Sequence, residues 1–363
     1  MGCANDAPAP GVGDTDAMEL LDLSGSNDHE EVSFRQDRAT GLRCIIAIHS
    51  TRLGPALGGT RFLPYPSEED ALSDVLRLSR AMSYKNSAAG LDFGGGKAVI
   101  IGDPHKNKSE ALLRSYARFV DSLGGRYITT EDVGTTEQDM NVIAQGTRHV
   151  TGTSEGSHDP SEATAWGVFC AMRAVTEKTL GVSSMAGLHV AVQGVGKVGT
   201  SLLRYLRAEG CGLTVADTSE DVLRHLSRRH DVTIVPTEEI HSFPCDIFAP
   251  CALSGTLNER TVPQLRCRAV IGSANNQLAT PEAAEMLAQR EIVYAPDFIV
   301  NAGGVINIAH EMGTSYDHDA AFNHVARIAE TIVRVIDLAE AEDITTEAAA
   351  ERIAEERIQG GLG

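Results

Sequence analysis

The feature that most constrains the fold is a glycine-rich turn between two candidate strands. A buried strand predicted over His189–Gln193 runs into Gly194-Val-Gly-Lys-Val-Gly199, and a helix is predicted over Thr200–Glu209. A second strand, Leu213–Ala216, is then followed by Asp217, 18 residues beyond the last glycine. This order of strand, turn, helix and strand is typical of a nucleotide-binding unit in a doubly wound parallel sheet.

Each glycine of the turn has a physical task in that interpretation. Gly194 permits the tight turn, Gly196 lets a pyrophosphate approach the backbone, and Gly199 lets the helix pack on the strand. The helix N-terminus would hold the pyrophosphate, and Asp217 would bind the adenosine ribose. No arginine follows Asp217 directly to receive a 2′-phosphate, so the sequence favours NAD over NADP. The predicted cofactor-binding residues here also include Val195, Lys197, Val198 and Thr218. A mononucleotide site or a purely structural unit is the alternative.

Strand and helix signals alternate along the rest of the chain. The further predicted strands are Cys44–His49, Gly59–Leu63, Lys97–Ile101, Arg126–Thr130, Asp246–Ala249, Ala269–Ser273 and Ile292–Tyr294. The predicted helices are Ser67–Ala89, Ser109–Leu123, Thr136–Ala144 and Ala163–Leu180, with a mainly helical stretch after residue 301. This alternation predicts the α/β class.

The length of 363 residues predicts two domains with a cleft between them. We expect a disordered tail over residues 1–17 and an N-terminal α/β catalytic and oligomerisation domain over 18–150. A Rossmann-type doubly wound parallel sheet is expected over 151–335, and a helix over about 336–363 is expected to return to the first domain.

Composition excludes several classes of function. Lys and Arg number 31 against 50 Asp and Glu, a net charge of −19, which argues against nucleic acid and anionic membrane surfaces as partners. The seven cysteines are scattered with no Cys-x-x-Cys, which favours a reducing, cytoplasmic location and no metal site. No apolar run reaches membrane-spanning length.

Two lysines stand where lysine is rare. Lys85 falls on the apolar face of the helix predicted over Ser67–Ala89, between Met82 and Ala89. Lys97 follows three glycines and opens an apolar strand. Burial and a nearby like charge lower the pKa of a lysine, and a lysine so perturbed can act as a general base near neutral pH.

Two plainer interpretations of these lysines remain. A lone lysine on an apolar face usually extends its ammonium to water. The pair Gly96-Lys97 also suggests an ATP-type phosphate loop, but such a loop needs a glycine at position 91, where Leu91 stands, and a hydroxyl at position 98, where Ala98 stands.

Further motifs place the chain in a family. These are Leu53-Gly-Pro-Ala-Leu-Gly-Gly-Thr-Arg61, Tyr84-Lys-Asn86, Gly94-Gly-Gly-Lys97, Thr130-Glu-Asp-Val-Gly-Thr135, Ala249-Pro-Cys-Ala252, Gly272-Ser-Ala-Asn-Asn-Gln277 and Asn301-Ala-Gly-Gly-Val-Ile-Asn307. With the glycine-rich turn, they resemble the glutamate, leucine, valine and phenylalanine dehydrogenases, and the leucine/valine branch most, from about Gly41 to Ile358.

The resemblance implies oxidative deamination of an L-amino acid to a 2-oxo acid and ammonia, with NAD as cofactor. In that family the lysine matching Lys85 binds the substrate carboxylate, the one matching Lys97 activates water, and the acid matching Asp132 exchanges protons with the amino group. The remaining implied contacts are Gly58, Gly59 and Asn276 for the substrate and Thr164, Ala252 and Asn275 for the cofactor. A homo-oligomer of two to eight subunits is also implied.

The side-chain pocket implied by the resemblance is uncharged. It maps to Leu57, Met82, Thr130, Val305 and Ile308. A glutamate enzyme would need a cation where Leu57 stands, so we expect leucine, valine or isoleucine as substrate. A phenylalanine or broad-specificity dehydrogenase, and an NAD-binding protein without catalysis, are the alternatives.

Overall fold

The structure is a computed structural model that describes residues 28–154, 159–229, 232–312 and 316–361. The tail expected over residues 1–17 lies outside the described residues. The strands are β1 Glu31–Asp37, β2 Leu42–Ser50, β3 Ala56–Leu63, β4 Gly94–Ile101, β5 Tyr127–Glu131, β6 His189–Gln193, β7 Gly212–Ala216, β8 Thr233–Ile234, β9 Ile247–Pro250, β10 Ala269–Val270 and β11 Val293–Tyr294.

The helices in the described ranges alternate with these strands and then dominate the end of the chain. They are α1 Glu68–Ala88, α2 Pro104–Asn107, α3 Glu110–Ser122, α4 Glu137–Ala144, α5 Pro160–Val175, α6 Lys197–Ala208, α7 Glu220–Arg229, α8 Glu282–Gln289, α9 Asp297–Val300, α10 Gly303–Glu311, α11 His318–Ala326, α12 Ile328–Glu342 and α13 Thr346–Gly360. A π-helical turn, Thr176–Leu180, extends α5.

The N-terminal domain is built on a mixed five-stranded sheet in the order β1-β2-β4-β3-β5. Strands β3, β4 and β5 are mutually parallel, whereas β1 and β2 run antiparallel to their neighbours. Strand β1 was not predicted from the sequence. It is an edge strand without a fully buried residue, so it lacks the apolar alternation that signals a strand.

Helix α1 forms as its sequence predicts. The Ser67 side chain accepts from the Asp70 backbone N–H at 3.0 Å, and acidic residues fill the first turn. Its apolar residues pack on β2 and β4, in a cluster that includes Val75 and Leu72. One consequence is that α1 carries Lys85 along the sheet toward the second domain.

The predicted doubly wound parallel sheet is confirmed in the second domain. Its six strands lie in the order β11-β10-β9-β6-β7-β8, and every pairing is parallel. Strand β8 was missed because its two residues are both exposed. The order reverses beside β6, which places the glycine-rich turn at the carboxyl edge where such sheets bind ligands.

The C-terminal part differs from the expected single helix over about 336–363. It divides at Asp343, whose φ of +55° ends α12, and Thr345 caps α13. Helix α12 packs on α5 of the second domain, whereas α13 packs on α1 of the first. The segment that returns is therefore α13 alone.

Three further observations concern the described residues. No helix among them is long and apolar enough to cross a membrane. No group of three His, Cys, Asp or Glu side chains within them is arranged to hold a metal ion. The six cysteines that they include are free thiols.

Candidate active site

A cavity of about 220 Å³ lies between the two domains. The first domain contributes the ends of β3, β4 and β5 and one face of α1, and the second contributes the Asn275–Asn276 loop and helices α9 and α10. Both charged and apolar side chains line it. The charged lining residues are Arg61, Lys85, Lys97, Glu131, Asp132 and Asp297.

Lys97 and Asp132 form an ion pair inside this cavity. The Lys97 Nζ lies 2.5 Å from Asp132 Oδ2, and Lys97 is only 6% exposed. Although burial opposes it, the charges of Lys97 and Arg61 lower the pKa of Asp132. The pair therefore joins a cation on a strand to a carboxylate that stays ionised, within reach of a bound molecule.

Glycines allow these elements to come close enough to build the site. A Cβ on Gly95 would lie 2.0 Å from the Ser83 backbone nitrogen of α1, and a Cβ on Gly58 would lie 1.7 Å from the Gly96 carbonyl oxygen. Neither separation is sterically allowed. The glycines beside Lys97 therefore serve close packing of helix on strand and strand on strand.

Lys85 faces Lys97 from α1. Burial lowers the pKa of Lys85 to about 8, the charge of Lys97 acts in the same direction, and Asp297 opposes both. The Lys85 Nζ also donates to Asn275 Oδ1 at 3.2 Å, across the cleft. The sequence predicts a lysine with a lowered pKa. In the structure this is Lys85, the lysine for which the resemblance implies carboxylate binding.

Arg61 is a site residue to which the sequence analysis gave no role. Its Nε lies 3.4 Å from Asp132 Oδ2, and its Nη1 donates to Asp74 Oδ2 at 2.9 Å. Asp297 was missed as well. It follows β11 and its Oδ2 accepts the Gln277 backbone N–H at 2.7 Å. Only contacts between distant segments identify these residues, although Arg61 ends the Leu53–Arg61 motif.

The apolar part of the cavity contains all five residues expected there. These are Leu57, Met82, Thr130, Val305 and Ile308, to which the structure adds Leu78, Ala81 and Phe298. Gly59 lines the cavity, and so do Asn275 and Asn276. The buried Thr130 Oγ1 has no hydrogen-bond partner among the described residues.

Two predicted contact residues have other neighbours. Gly58 is not part of the cavity lining; it lies inside the sheet against Gly96, and its carbonyl accepts from the Tyr127 hydroxyl at 2.8 Å. The Thr164 hydroxyl donates to the Pro160 carbonyl at 2.8 Å, within its own helix. A role for either in binding stays a prediction.

The glycine-rich turn has the shape that a pyrophosphate needs. Gly194 has a φ of +94°, and a Cβ on Gly199 would lie 2.2 Å from the Gly194 oxygen. A Cβ on Gly196 would meet nothing within 4 Å, so the backbone there is open, and no side chain caps the helix that starts at Lys197. These residues fit a dinucleotide.

Asp217 completes this arrangement at the end of β7. Its carboxylate accepts the backbone N–H groups of Val195 and Ser219, each at 2.8 Å. Both oxygens keep lone pairs for further donors. Ala252 lies against Gly194, and Lys197 is largely exposed beside Asp159. The predicted cofactor residues Val195 and Gly196 therefore gather at one edge of the parallel sheet.

The fold and the cleft define a class of protein, the two-domain amino acid dehydrogenases. Residues 28–149 match the model of the Glu/Leu/Phe/Val dehydrogenase dimerisation domain, and residues 156–225 and 212–360 match the Glutamate/Leucine/Phenylalanine/Valine dehydrogenase model. The chain belongs to this family of NAD-dependent enzymes.

Individual relatives agree with this assignment. The chain is 49% identical to the leucine dehydrogenase of Geobacillus stearothermophilus over 94% of each chain. It is 49% identical to the valine dehydrogenase of Streptomyces albus, over 94% of this chain and 96% of the relative. Its structure is similar to that of the L-tryptophan dehydrogenase from Nostoc punctiforme, with a TM-score of 0.85, 43% identity, and coverage of 94% and 99%.

Proposed function

We propose that the protein catalyses the reversible oxidative deamination of leucine, valine or isoleucine to the 2-oxo acid and ammonia. One observation carries this proposal: the cavity is lined by Lys85, Lys97 and Asp132 together with many uncharged, mostly apolar side chains. Such a cavity suits a molecule with a charged amino acid end and an aliphatic side chain. Relatives named leucine and valine dehydrogenases support it.

The charged residues of the cavity have different roles in this proposal. Lys85 binds the substrate carboxylate, for which a fixed cation is needed in a site that excludes water. Asp132 exchanges protons with the amino group, and Lys97 activates the water that attacks the imine carbon. When bound, NAD supplies the acceptor for the hydride of the substrate Cα. The 2.5 Å contact between Lys97 and Asp132 lets a proton move between the two groups.

The uncharged residues set the substrate class. None of the predicted side-chain contacts Leu57, Val305 and Ile308 is a cation that could pair with a distal carboxylate, as in glutamate, and an unpaired buried charge is strongly unfavourable. Compared with an alanine at this position, Thr130 adds side-chain atoms and a hydroxyl to the cavity, which favours the smaller aliphatic side chains. Asn276, proposed to contact the substrate, and Asn275, proposed to contact the cofactor, are adjacent residues of one loop.

We further propose a cytoplasmic homo-oligomer of two to eight subunits. The match of residues 28–149 to a dimerisation domain supports association, and β1 presents the exposed Phe34 at a sheet edge. Free thiols at all six described cysteines suit a reducing compartment.

Absorbance of NADH at its near-ultraviolet band tests the function. The protein is mixed with NADH, ammonia and a panel of 2-oxo acids, and each is scored by kcat/KM. We expect the highest values for 2-oxoisocaproate or 2-oxoisovalerate and none for 2-oxoglutarate. Similarity to a tryptophan dehydrogenase makes aromatic substrates the specific alternative. Preference for phenylpyruvate or indolepyruvate would establish that alternative, and NADH binding without turnover would indicate a protein without catalysis.

A further inference from the structure

Asp74 of α1 organises a hydrogen-bond network beside the cavity, although it does not line the cavity itself. Its carboxylate accepts from Arg61 Nη1 at 2.9 Å, from the Tyr65 hydroxyl at 2.7 Å and from Arg77 Nη2 at 2.7 Å. The Asp74 side chain is 17% exposed. Burial opposes ionisation, but the donors from Tyr65 and Arg77 and the charge of Arg61 lower the pKa of Asp74. It is therefore a fixed anion between two arginines.

The two arginines that donate to Asp74 contact different parts of the site. Arg61 extends inward, where its Nε lies 3.4 Å from Asp132 Oδ2. Arg77 extends across the cleft, where its Nη1 donates to Asn276 Oδ1 at 3.3 Å. Asn276 has a φ of +50°, in the left-handed region that asparagine adopts more often than most residues other than glycine.

We propose that Asp74 is a positioning residue for the reaction, because it fixes Arg61 against the catalytic carboxylate Asp132 and Arg77 against Asn276 of the opposite domain. This inference rests on the proposed function. Without Asp74, Asp132 would be the nearest anion to Arg61, and the guanidinium would compete with Lys97 for it. Asp74 divides the donors of Arg61 between two carboxylates and so leaves Asp132 available to Lys97 and substrate.

The inference predicts pH shifts of opposite sign. The charged or titratable groups of the cavity and network around Asp132 come from α1, β3, β4, β5, the loop after β3 and the second domain. They are Asp74, Arg77, Lys85, Arg61, Lys97, Tyr65, Glu131 and Asp297. Asp74→Asn removes a negative charge, which lowers the pKa of every one of these titrating groups, whereas Arg61→Gln removes a positive charge and raises it.

The experiment is the pH profile of kcat/KM for leucine deamination with saturating NAD. We expect Asp74→Asn to move the acidic limb to lower pH by roughly half a unit, because one partly screened negative charge is removed from the network around Asp132. We expect kcat/KM at the optimum to fall about tenfold, because small displacements of catalytic groups are costly. Arg61→Gln should move the limb to higher pH, and Asp74→Glu, which keeps the charge, should leave the limb in place.

Glu31→Gln is the matched control. It removes one carboxylate that is paired with Arg126 and 24% exposed, at the opposite end of the β5 strand from Asp132. We expect it to leave both the limb and kcat/KM unchanged.

Arg77→Gln tests the hydrogen bond that Arg77 donates to Asn276 across the cleft. We expect a severalfold rise in KM for leucine with a smaller shift of the limb, because the Arg77 side chain is 53% exposed and its charge is screened. If Asp74→Asn does not fold, Arg77→Gln still decides the question, because an unchanged KM for leucine in that variant would overturn the inference.

A folded Asp74→Asn with the profile and kcat/KM of the unmodified protein would overturn the inference. So would limb shifts of the same sign in Asp74→Asn and Arg61→Gln. Absence of leucine turnover in the unmodified protein would instead contradict the proposed function. The two failures are therefore distinguishable.

Discussion

At the scale of single residues, Lys97 and Asp132 carry the proposed chemistry. We expect Lys97→Ala to lower kcat by about a hundredfold or more, the usual contribution of a positioned acid or base, while NADH still binds. Binding is checked by NADH fluorescence and turnover by absorbance. The glycine-rich turn proposed to bind the cofactor lies on another domain, so the affinity for NADH should stay within about twofold of the unmodified value.

A second lysine offers the control for that prediction. Lys108 pairs with Asp139 at 2.6 Å, in the same domain and away from the cavity lining. Lys108→Ala therefore removes a comparable ion pair without touching the site, and we expect nearly normal turnover. Full activity in Lys97→Ala would refute its role as the base.

Among the uncharged residues that line the cavity, Thr130 is the one at which we expect a substitution to change the preference between leucine and valine most. We expect Thr130→Ala to raise the ratio of kcat/KM for leucine to that for valine by about tenfold, because the added space is worth most to the longer side chain. Thr130→Val keeps the volume and removes only the hydroxyl. An equal change in both variants would mean that the hydroxyl, rather than the size, sets the preference.

The site residues that could be predicted are those whose type is unusual for their local sequence. Lys85 and Lys97 stand among apolar and glycine neighbours, so the sequence singles them out. Arg61, Asp74 and Asp297 stand in segments where a charge is ordinary. Their role depends on which distant side chain lies opposite, and a single sequence does not contain that information.

At the scale of elements, we expect helix α1 to make substrate binding depend on pH through Lys85. Lys85 has a pKa of about 8 and is charged below that value. We expect the dissociation constant of 2-oxoisocaproate from the enzyme–NADH complex, measured without ammonia, to be constant below about pH 8. Above it the constant should rise by up to about tenfold per pH unit, because the carboxylate loses its cation.

The variant Lys85→Gln checks this assignment. It should bind the 2-oxo acid weakly at every pH and show no such rise. Constant affinity of the unmodified protein between about pH 7 and pH 9.5 would contradict a carboxylate-binding role for Lys85. Omitting ammonia matters, because ammonium itself titrates in this range.

Elements with strong apolar patterns were predicted well, and elements without one were not. The strand His189–Gln193 has the predicted bounds, and α1 differs from its prediction by one residue at each end. Strand β1 is half exposed and was missed. The break between α12 and α13 was missed because Asp343 takes a left-handed conformation where neither glycine nor proline marks it.

At the scale of the whole molecule, helix α13 connects the two domains. The Ser87 hydroxyl of α1 donates to the Ala354 carbonyl at 2.6 Å, and Arg357 donates to the Leu91 carbonyl at 2.7 Å. At its other end, the Thr346 hydroxyl donates to the Tyr294 carbonyl of β11 at 2.6 Å. Helix α13 therefore contacts both domains.

We expect Glu347 of helix α13 to make the stability of the folded protein depend on pH. Burial raises its pKa to about 8, and the charges of Asp297 and Glu351 act in the same direction. Because the unfolded chain releases this proton near 4.5 and the folded chain near 8, stability falls as pH rises through that window. We expect Glu347→Gln to raise the melting temperature by a few °C at about pH 8.5, and by less at about pH 6.

The control is Glu355→Gln, two turns further along the same helix, where the side chain is exposed. It removes the same charge without the burial, so its melting temperature should follow the unmodified protein at both pH values. A Glu347→Gln gain that is equal at both pH values would show that the stabilisation comes from packing. A loss at the higher pH would show that the ionised carboxylate has a favourable partner, which contradicts an acid held against Asp297 at the junction of the two domains.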